Sequence, residues 1–336
     1  MEREAIAACL SVPRGPVEIR KMPVAAPGRG EALVRMEACG ICHSDVMITG
    51  LDKLPLTPLV LGHEGIGVVE EVGDGVANVA VGDRVGITYF AAGCGVCEAC
   101  RAGFERYCAK QTNHGYTRQG VLATAGIVAA RNLIRVPGSL TAEEAAPLCC
   151  AGWTAMGALG EAGVRAGQLV AIFGFGGLGH LALQYAKHAG ARTAVVDVGA
   201  EKLEFARQLG ADVAVAAEDA RKTLVKEHGG ADAAIVFTAS AAAVPAAFSC
   251  LKRRGSLILV GLTADTYTFS VTETVLKGIR IQGSYLGSRA DLERVFELAE
   301  RGVARPKVTV YGIEAAPELM GELERGRLTG RAVIRF

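Results

Sequence analysis

Two textures divide the chain. Over residues 31–38 and 64–72 apolar and polar positions partly alternate, as in strands with one buried face. Gly73, Gly75, Gly82-Asp83 and Pro137-Gly138 cut the neighbouring sequence into further short segments, so residues 1–150 read as β-rich and irregular. From Gln168 the pattern turns regular: an apolar strand at 169–173, a glycine turn, a helix running to Ala189, and a strand at 193–196. The cycle then repeats, with helices expected at 201–209, 219–227 and 242–252 and strands at 213–216, 233–237 and 257–260. This rhythm predicts a doubly wound parallel sheet, giving an α/β chain with a β-rich first part. Residues 290–301 form an amphipathic helical pattern, and 331–336 a closing strand.

Composition supports a folded chain of two domains. There are 336 residues, half of them hydrophobic, and 43 glycines that suit turns and close backbone approaches. Lys and Arg number 36 against 35 Asp and Glu, with no long run of one sign, so no nucleic-acid or anionic-membrane partner is expected and a small ligand is favoured. The uncharged stretch 233–251 is alanine-rich and holds Thr238, Ser240, Pro245 and Ser249, which fits a strand plus a helix better than a membrane span. Glu2 and Glu4 precede a short apolar run ending at Pro13-Arg14, unlike a signal peptide, so a cytoplasmic location is expected. In that setting the ten cysteines read as metal ligands and core thiols.

Three clusters carry chemistry. Cys39, Cys42, His43, Ser44 and Asp45 lie within one short run; Gly62-His63-Glu64 follows, and Cys149-Cys150 comes much later. Ligands spread over more than a hundred residues suit an open zinc site with three protein ligands and one free position. Spacing alone does not choose Cys42 over Cys39, or Cys150 over Cys149. Cys94, Cys97, Cys100 and Cys108 form a C-x-x-C-x-x-C-x7-C cluster able to close a tetrahedral zinc. A ferredoxin-like iron–sulfur cluster would have a shorter last gap and a proline where Ala109 stands. Finally, Gly174, Gly176, Gly177, Leu178 and Gly179 form a G-x-G-x-x-G turn between a strand and a helix, where backbone N–H groups receive a pyrophosphate. Asp197 ends the next strand, where it can accept from an adenosine ribose and repel a 2′-phosphate, which favours NAD over NADP.

Taken together, residues 39–45, Gly62-His63-Glu64-Gly65, the four-cysteine lobe, Cys150-Ala151-Gly152, residues 174–179 and Thr329-Gly330-Arg331 resemble the medium-chain, zinc-dependent alcohol dehydrogenases, especially the bacterial members. The resemblance spans nearly the whole chain. It implies a GroES-like catalytic domain over 1–153 with the zinc lobe near 93–110, a Rossmann domain over 154–289, and a segment 290–336 returning to the catalytic domain. By this resemblance Cys42, His63 and Cys150 hold a catalytic zinc, with Glu64 as an occasional fourth ligand. Asp45 orients His63, Ser44 accepts the alcohol proton, and the four-cysteine lobe holds a second, structural zinc. His43 and Arg331 match pyrophosphate contacts, Lys202 an adenosine contact, and Thr154, Val260 and Ser284 the nicotinamide surroundings. Tyr89, Trp153, Leu262 and Leu286 are the expected walls of the alcohol pocket.

The implied reaction is reversible oxidation of a primary aliphatic, aryl or allylic alcohol to its aldehyde with hydride transfer to NAD, in a homodimer or homotetramer. One departure stands out. Many relatives carry a histidine three residues after the relay hydroxyl, where this chain has Met47, whose thioether takes up no proton near neutral pH. Alcohol oxidation is therefore expected to be slow at low pH. His114, His180, His188 and His228 have no partner pattern and receive no role. Two rival readings are a double-bond reductase on the same fold, disfavoured by the Cys42, His63 and Cys150 set, and a zinc-stabilised nucleic-acid module, disfavoured by the balanced charge.

Overall fold

The computed structural model describes residues 3–336. These divide into two compact units, one formed by the described residues up to Cys150 with Ser288–Glu300 and Pro306–Phe336, the other by Ala151–Gly287 with Arg301–Arg305. The short return at Arg301–Arg305 departs from a continuous 290–336 segment. Its cause is the Gln184 side chain, which bonds both the N–H and the carbonyl of Arg305 at 3.1 Å.

The first unit is organised on the strand Glu31–Gly40. One edge of it pairs antiparallel with Glu64–Val72; the other edge is shared by Ala125–Ala129 and, at its end, Arg331–Arg335. The C-terminal strand therefore closes onto the first unit. Val34, Met36, Val69, Val85, Ile87, Val128 and Ile334 fill the core beneath this sheet. Register is what matters for chemistry: Gly40 lies opposite Glu64, so the residues just past the strand meet His63 and Glu64. Only glycine fits there, because a Cβ on Gly40 would stand 2.0 Å from a Glu64 carboxylate oxygen.

The second unit holds a six-stranded parallel sheet in the order Val213–Ala216, Arg192–Asp197, Leu169–Phe173, Ala231–Val236, Leu251–Leu259 and Arg280–Gly283. Leu169–Phe173 is buried at every position, as expected of a strand covered on both faces. Strand order reverses between Leu169–Phe173 and Ala231–Val236, the place where doubly wound sheets bind ligands. Two elements differ from the sequence reading. The helix expected at 242–252 stops at Ser249, because Leu251 and residues 255–258 are buried in the sheet and draw the following chain into a nine-residue strand. The helix expected at 219–227 is a short 3-10 turn followed by a π-helical Lys222–Glu227. No helix of the described residues is long and apolar enough to cross a membrane.

His114 lies in the first unit with 2% of its surface exposed. Its Nδ1–H donates to the Thr88 carbonyl at 2.9 Å, and its Nε2 accepts the Ala129 N–H at 3.3 Å, which defines a neutral ring. Burial pushes its pKa down to about 4. The unfolded imidazole takes a proton near pH ~6.5, whereas the folded one does not until about 4, so stability falls as pH drops through that window. The unfolding free energy of the wild type relative to His114→Asn should fall by about 2 kcal/mol between pH ~6.5 and ~5, measured by urea titration. A difference that stays constant over that range would contradict a buried neutral ring.

Candidate active site

The site is assembled by one short helix and the strand register beside it. Cys42 is the extended residue before the helix His43–Thr49, and Asp45 occupies its first turn. The fully buried Asp45 carboxylate accepts from Cys42 N–H at 3.0 Å, from Gly62 N–H at 3.2 Å and from His63 Nδ1–H at 3.1 Å. These bonds tie the helix to the start of Glu64–Val72. They also set the tautomer of His63, leaving Nε2 unprotonated.

Around that Nε2 the donor atoms of Cys42, His63, Glu64 and Cys150 lie within 4.8 Å of one another, all four residues buried. Cys150 follows directly after the 3-10 turn Ala146–Cys149. The two thiol sulfurs are 4.0 Å apart. A tetrahedral zinc with Zn–S bonds of about 2.3 Å requires an edge of about 3.8 Å, so the pair fits. His63 Nε2 is buried with no hydrogen-bond partner in the protein, an orphaned acceptor aimed into a set of soft donors. A hydrogen bond from Cys150 holds the Cys42 thiol well below its ordinary pKa, while the same bond and burial push Cys150 well above. One thiolate thus forms readily and the second demands a cation, so metal binding there would release a proton.

Glu64 divides its carboxylate: Oε2 is buried in the cluster without a hydrogen-bond partner, and the other oxygen is engaged. Its Oε1 accepts from Arg331 Nη2 in a close buried ion pair, and Arg331 also donates to the Ile41 carbonyl at 3.0 Å. Burial pushes Glu64 up to about 7 against the pull of Arg331. Arg331, matched to a pyrophosphate contact by resemblance, is thus buried against a carboxylate. Ser44, half-buried, has its hydroxyl 3.8 Å from Cys42 Sγ; His43 is exposed on the same helix, and Met47 is 51% exposed. Tyr89 is half-buried with its ring edge-on to His63, 5.2 Å between centroids at 78°.

The second cluster is closed. Sγ atoms of Cys94, Cys97, Cys100 and Cys108 lie within 4.8 Å of one another, with Cys94–Cys100 at 4.0 Å and Cys97–Cys108 at 3.8 Å. Backbone N–H groups of Cys94 and Lys110 donate to Cys108 Sγ, and that of Cys97 to Cys94 Sγ. Backbone donors of this kind push Cys94 down to about 6. Four sulfurs at near-tetrahedral edges match a zinc with no open position.

In the second unit Gly174 takes φ +93° at the end of Leu169–Phe173, and Gly179 opens the helix Gly179–His188. A Cβ on Gly179 would stand 2.2 Å from the Gly174 carbonyl, whereas a Cβ on Gly176 would meet nothing within 4 Å. The turn is therefore packed on one side and open on the other. Gly177 and Leu178 complete it. Asp197 accepts from Phe175 N–H at 2.7 Å and Gly199 N–H at 2.9 Å, with Lys202 Nζ 3.9 Å away. Val260 and Ser284 follow the carboxyl ends of neighbouring strands, the Ser284 hydroxyl buried without a partner, and Thr154 is buried in the helix Ala151–Ala162. Trp153 and Leu286 are buried, and Leu262 is 61% exposed. His43 and Arg331 belong to the other unit. Sequence reasoning passed over His114, a lone histidine outside any ligand spacing; its hydrogen bonds to the Thr88 and Tyr89 carbonyls depend on tertiary pairing.

This geometry agrees with what the chain is similar to. Residues 28–138 match the pattern of the alcohol dehydrogenase GroES-like domain, and residues 177–301 that of zinc-binding dehydrogenases. An alcohol dehydrogenase of Geobacillus stearothermophilus is 40% identical over 324 residues, 95% of this chain and 96% of the relative. The alcohol dehydrogenase of the hyperthermophilic archaeon Aeropyrum pernix superposes with a TM-score of 0.91 at 33% identity, over 98% of this chain and 100% of the other. A cinnamyl alcohol dehydrogenase of Sorghum bicolor does so at 0.90 and 27% identity, over 99% and 98%. The chain belongs to the medium-chain zinc-dependent alcohol dehydrogenase family. It is an oxidoreductase of the alcohol dehydrogenase and reductase kind.

The two glycines separate packing from ligand binding. Gly176→Ala should leave stability within about 0.5 kcal/mol yet weaken NADH binding tenfold or more, read by fluorescence titration. Gly179→Ala should destabilise the fold by about 1–3 kcal/mol. Unchanged NADH affinity in Gly176→Ala would remove the turn from the cofactor site.

Proposed function

We propose that this chain is an NAD-linked zinc alcohol dehydrogenase that oxidises primary aliphatic, aryl or allylic alcohols reversibly to aldehydes, with one catalytic and one structural zinc per chain. The observation that carries the reading is the unpartnered His63 Nε2, directed by Asp45 into the buried set with Cys42 and Cys150. Those three residues would hold the catalytic zinc and Cys94, Cys97, Cys100 and Cys108 the structural one. When bound, zinc supplies Lewis acidity toward an alcohol oxygen and NAD supplies a hydride acceptor.

The chain's own groups do the rest. Asp45 fixes the ring of His63 through Nδ1, so its lone pair cannot rotate away. Ser44, beside Cys42 and half open, is the hydroxyl that takes the alcohol proton and passes it outward. Met47, one turn further along the same helix, cannot receive it, so water completes the route. The Tyr89 ring narrows the space beside His63 and excludes water. In the second unit the open side of the glycine turn would take the pyrophosphate. Asp197 keeps lone pairs for ribose hydroxyls while its charge opposes a 2′-phosphate, which makes NAD the preferred cofactor. A homodimer or homotetramer is supported by Val271, Val275 and Leu276, exposed on the helix Val271–Lys277 next to the terminal strand Arg280–Gly283.

The test is steady-state oxidation of an alcohol series with NAD and with NADP across pH ~6 to ~9, in wild type, Cys42→Ala and Met47→His. Expected outcomes are NAD-linked turnover, loss of at least ~1000-fold in Cys42→Ala, and a wild-type rate that falls at low pH and is lifted there in Met47→His. Full turnover in Cys42→Ala would overturn the site, and an unchanged pH profile in Met47→His the gap in the relay.

A further inference from the structure

We propose that His114 is a positioning residue that sets alcohol selectivity by fixing the Tyr89 ring against His63. The inference deepens the function proposed above, since it takes the space beside His63 as the place where alcohol reacts. Tyr89 precedes the strand Phe90–Ala92, which pairs with Thr112–Asn113. Two peptide planes meet at its Cα. The Thr88 carbonyl in the first accepts His114 Nδ1–H at 2.9 Å, and the Tyr89 carbonyl in the second accepts the His114 backbone N–H at 2.9 Å. A single residue therefore holds both planes, fixing φ and ψ of Tyr89 and with them the direction of its side chain.

The grip is itself braced. Ala129 N–H donates to His114 Nε2 at 3.3 Å, and the Thr88 hydroxyl donates to the Phe90 carbonyl at 3.1 Å. The next residue, Gly115, has φ +75° and lies against Gly62; a Cβ there would be 2.9 Å from the Gly62 carbonyl. The segment that holds Tyr89 thus touches the backbone that leads into His63. Of these bonds, the two made by the ring, to Thr88 and from Ala129, depend on the identity of residue 114, and only the first reaches the peptide plane before Tyr89. Asparagine places its amide N–H near the position of Nδ1, while glutamine places its own near Nε2. His114→Asn therefore keeps the Thr88 bond, and His114→Gln loses it.

A brace without a positioning role would lower the melting temperature of both variants and leave selectivity alone. The readouts are the His63 ring resonances in histidine-labelled protein, and the ratio of kcat/KM for benzyl alcohol to that for ethanol, with the KM for NAD as control. Tyr89→Ala is the reference: it should move the His63 signals and change the ratio about tenfold. His114→Gln should reproduce more than half of both changes, and His114→Asn should stay within about twofold of wild type, with the KM for NAD unaltered in each. The proposal is overturned if His114→Gln matches wild type in both readouts. It is overturned equally if His114→Asn departs as far as Tyr89→Ala, an outcome that does not require the glutamine variant to fold. Should no alcohol be turned over at all, the proposed function fails while the His63 resonances still decide the role of His114.

Discussion

A single buried carboxylate ties the active site together. Asp45 accepts hydrogen bonds from Cys42, Gly62 and His63, three positions on two separate segments. Each of these donors would cost about 1–3 kcal/mol if left buried without an acceptor. The arrangement is thus a strong local constraint and also a chemical one. It fixes where Cys42 begins its helix, where the chain turns before His63, and which nitrogen of the imidazole is left free. The strand register does the remaining positioning, because Gly40 opposite Glu64 brings these segments together at the end of the same sheet.

The two cysteine-containing sites contrast in a way that follows from their construction. The four-cysteine lobe takes all its donors from one local loop and stabilises thiolates with backbone N–H groups, so the set is complete in itself. The buried set around His63 takes its donors from distant segments. Its fourth member, the carboxylate of Glu64, is paired with Arg331 from the C-terminal strand, whose charge offsets the buried negative charge around it. That pairing engages one Glu64 oxygen and leaves Oε2 buried without a partner beside Cys42, His63 and Cys150.

Legibility followed the range of the interactions. The doubly wound sheet was readable because each strand, turn and helix is written locally, as at Leu169–Phe173 and the glycines after it. The lobe was readable for the same reason. By contrast, spacing could not separate Cys42 from Cys39, since the distinction is made by strand pairing: Cys39 stands opposite Gly65 inside the sheet, and burial pushes its thiol well above its ordinary pKa. The helix expected through Lys252 was misread because burial of Leu251 in the sheet overrides local alanine-rich propensity. His114 was invisible for a related reason. Its partners Thr88 and Ala129 are brought to it by strands that no short-range pattern connects.

The central claim is that two separate sets of side chains hold metal, one open and one closed. Zinc per chain, measured by elemental analysis after dialysis, tests it directly on the wild type, Cys42→Ala and Cys100→Ala. The account requires about two zinc ions in the wild type and about one in each variant, with the zinc of Cys42→Ala lost when Cys100→Ala is added. A wild-type chain with a single zinc that Cys42→Ala retains in full would contradict it.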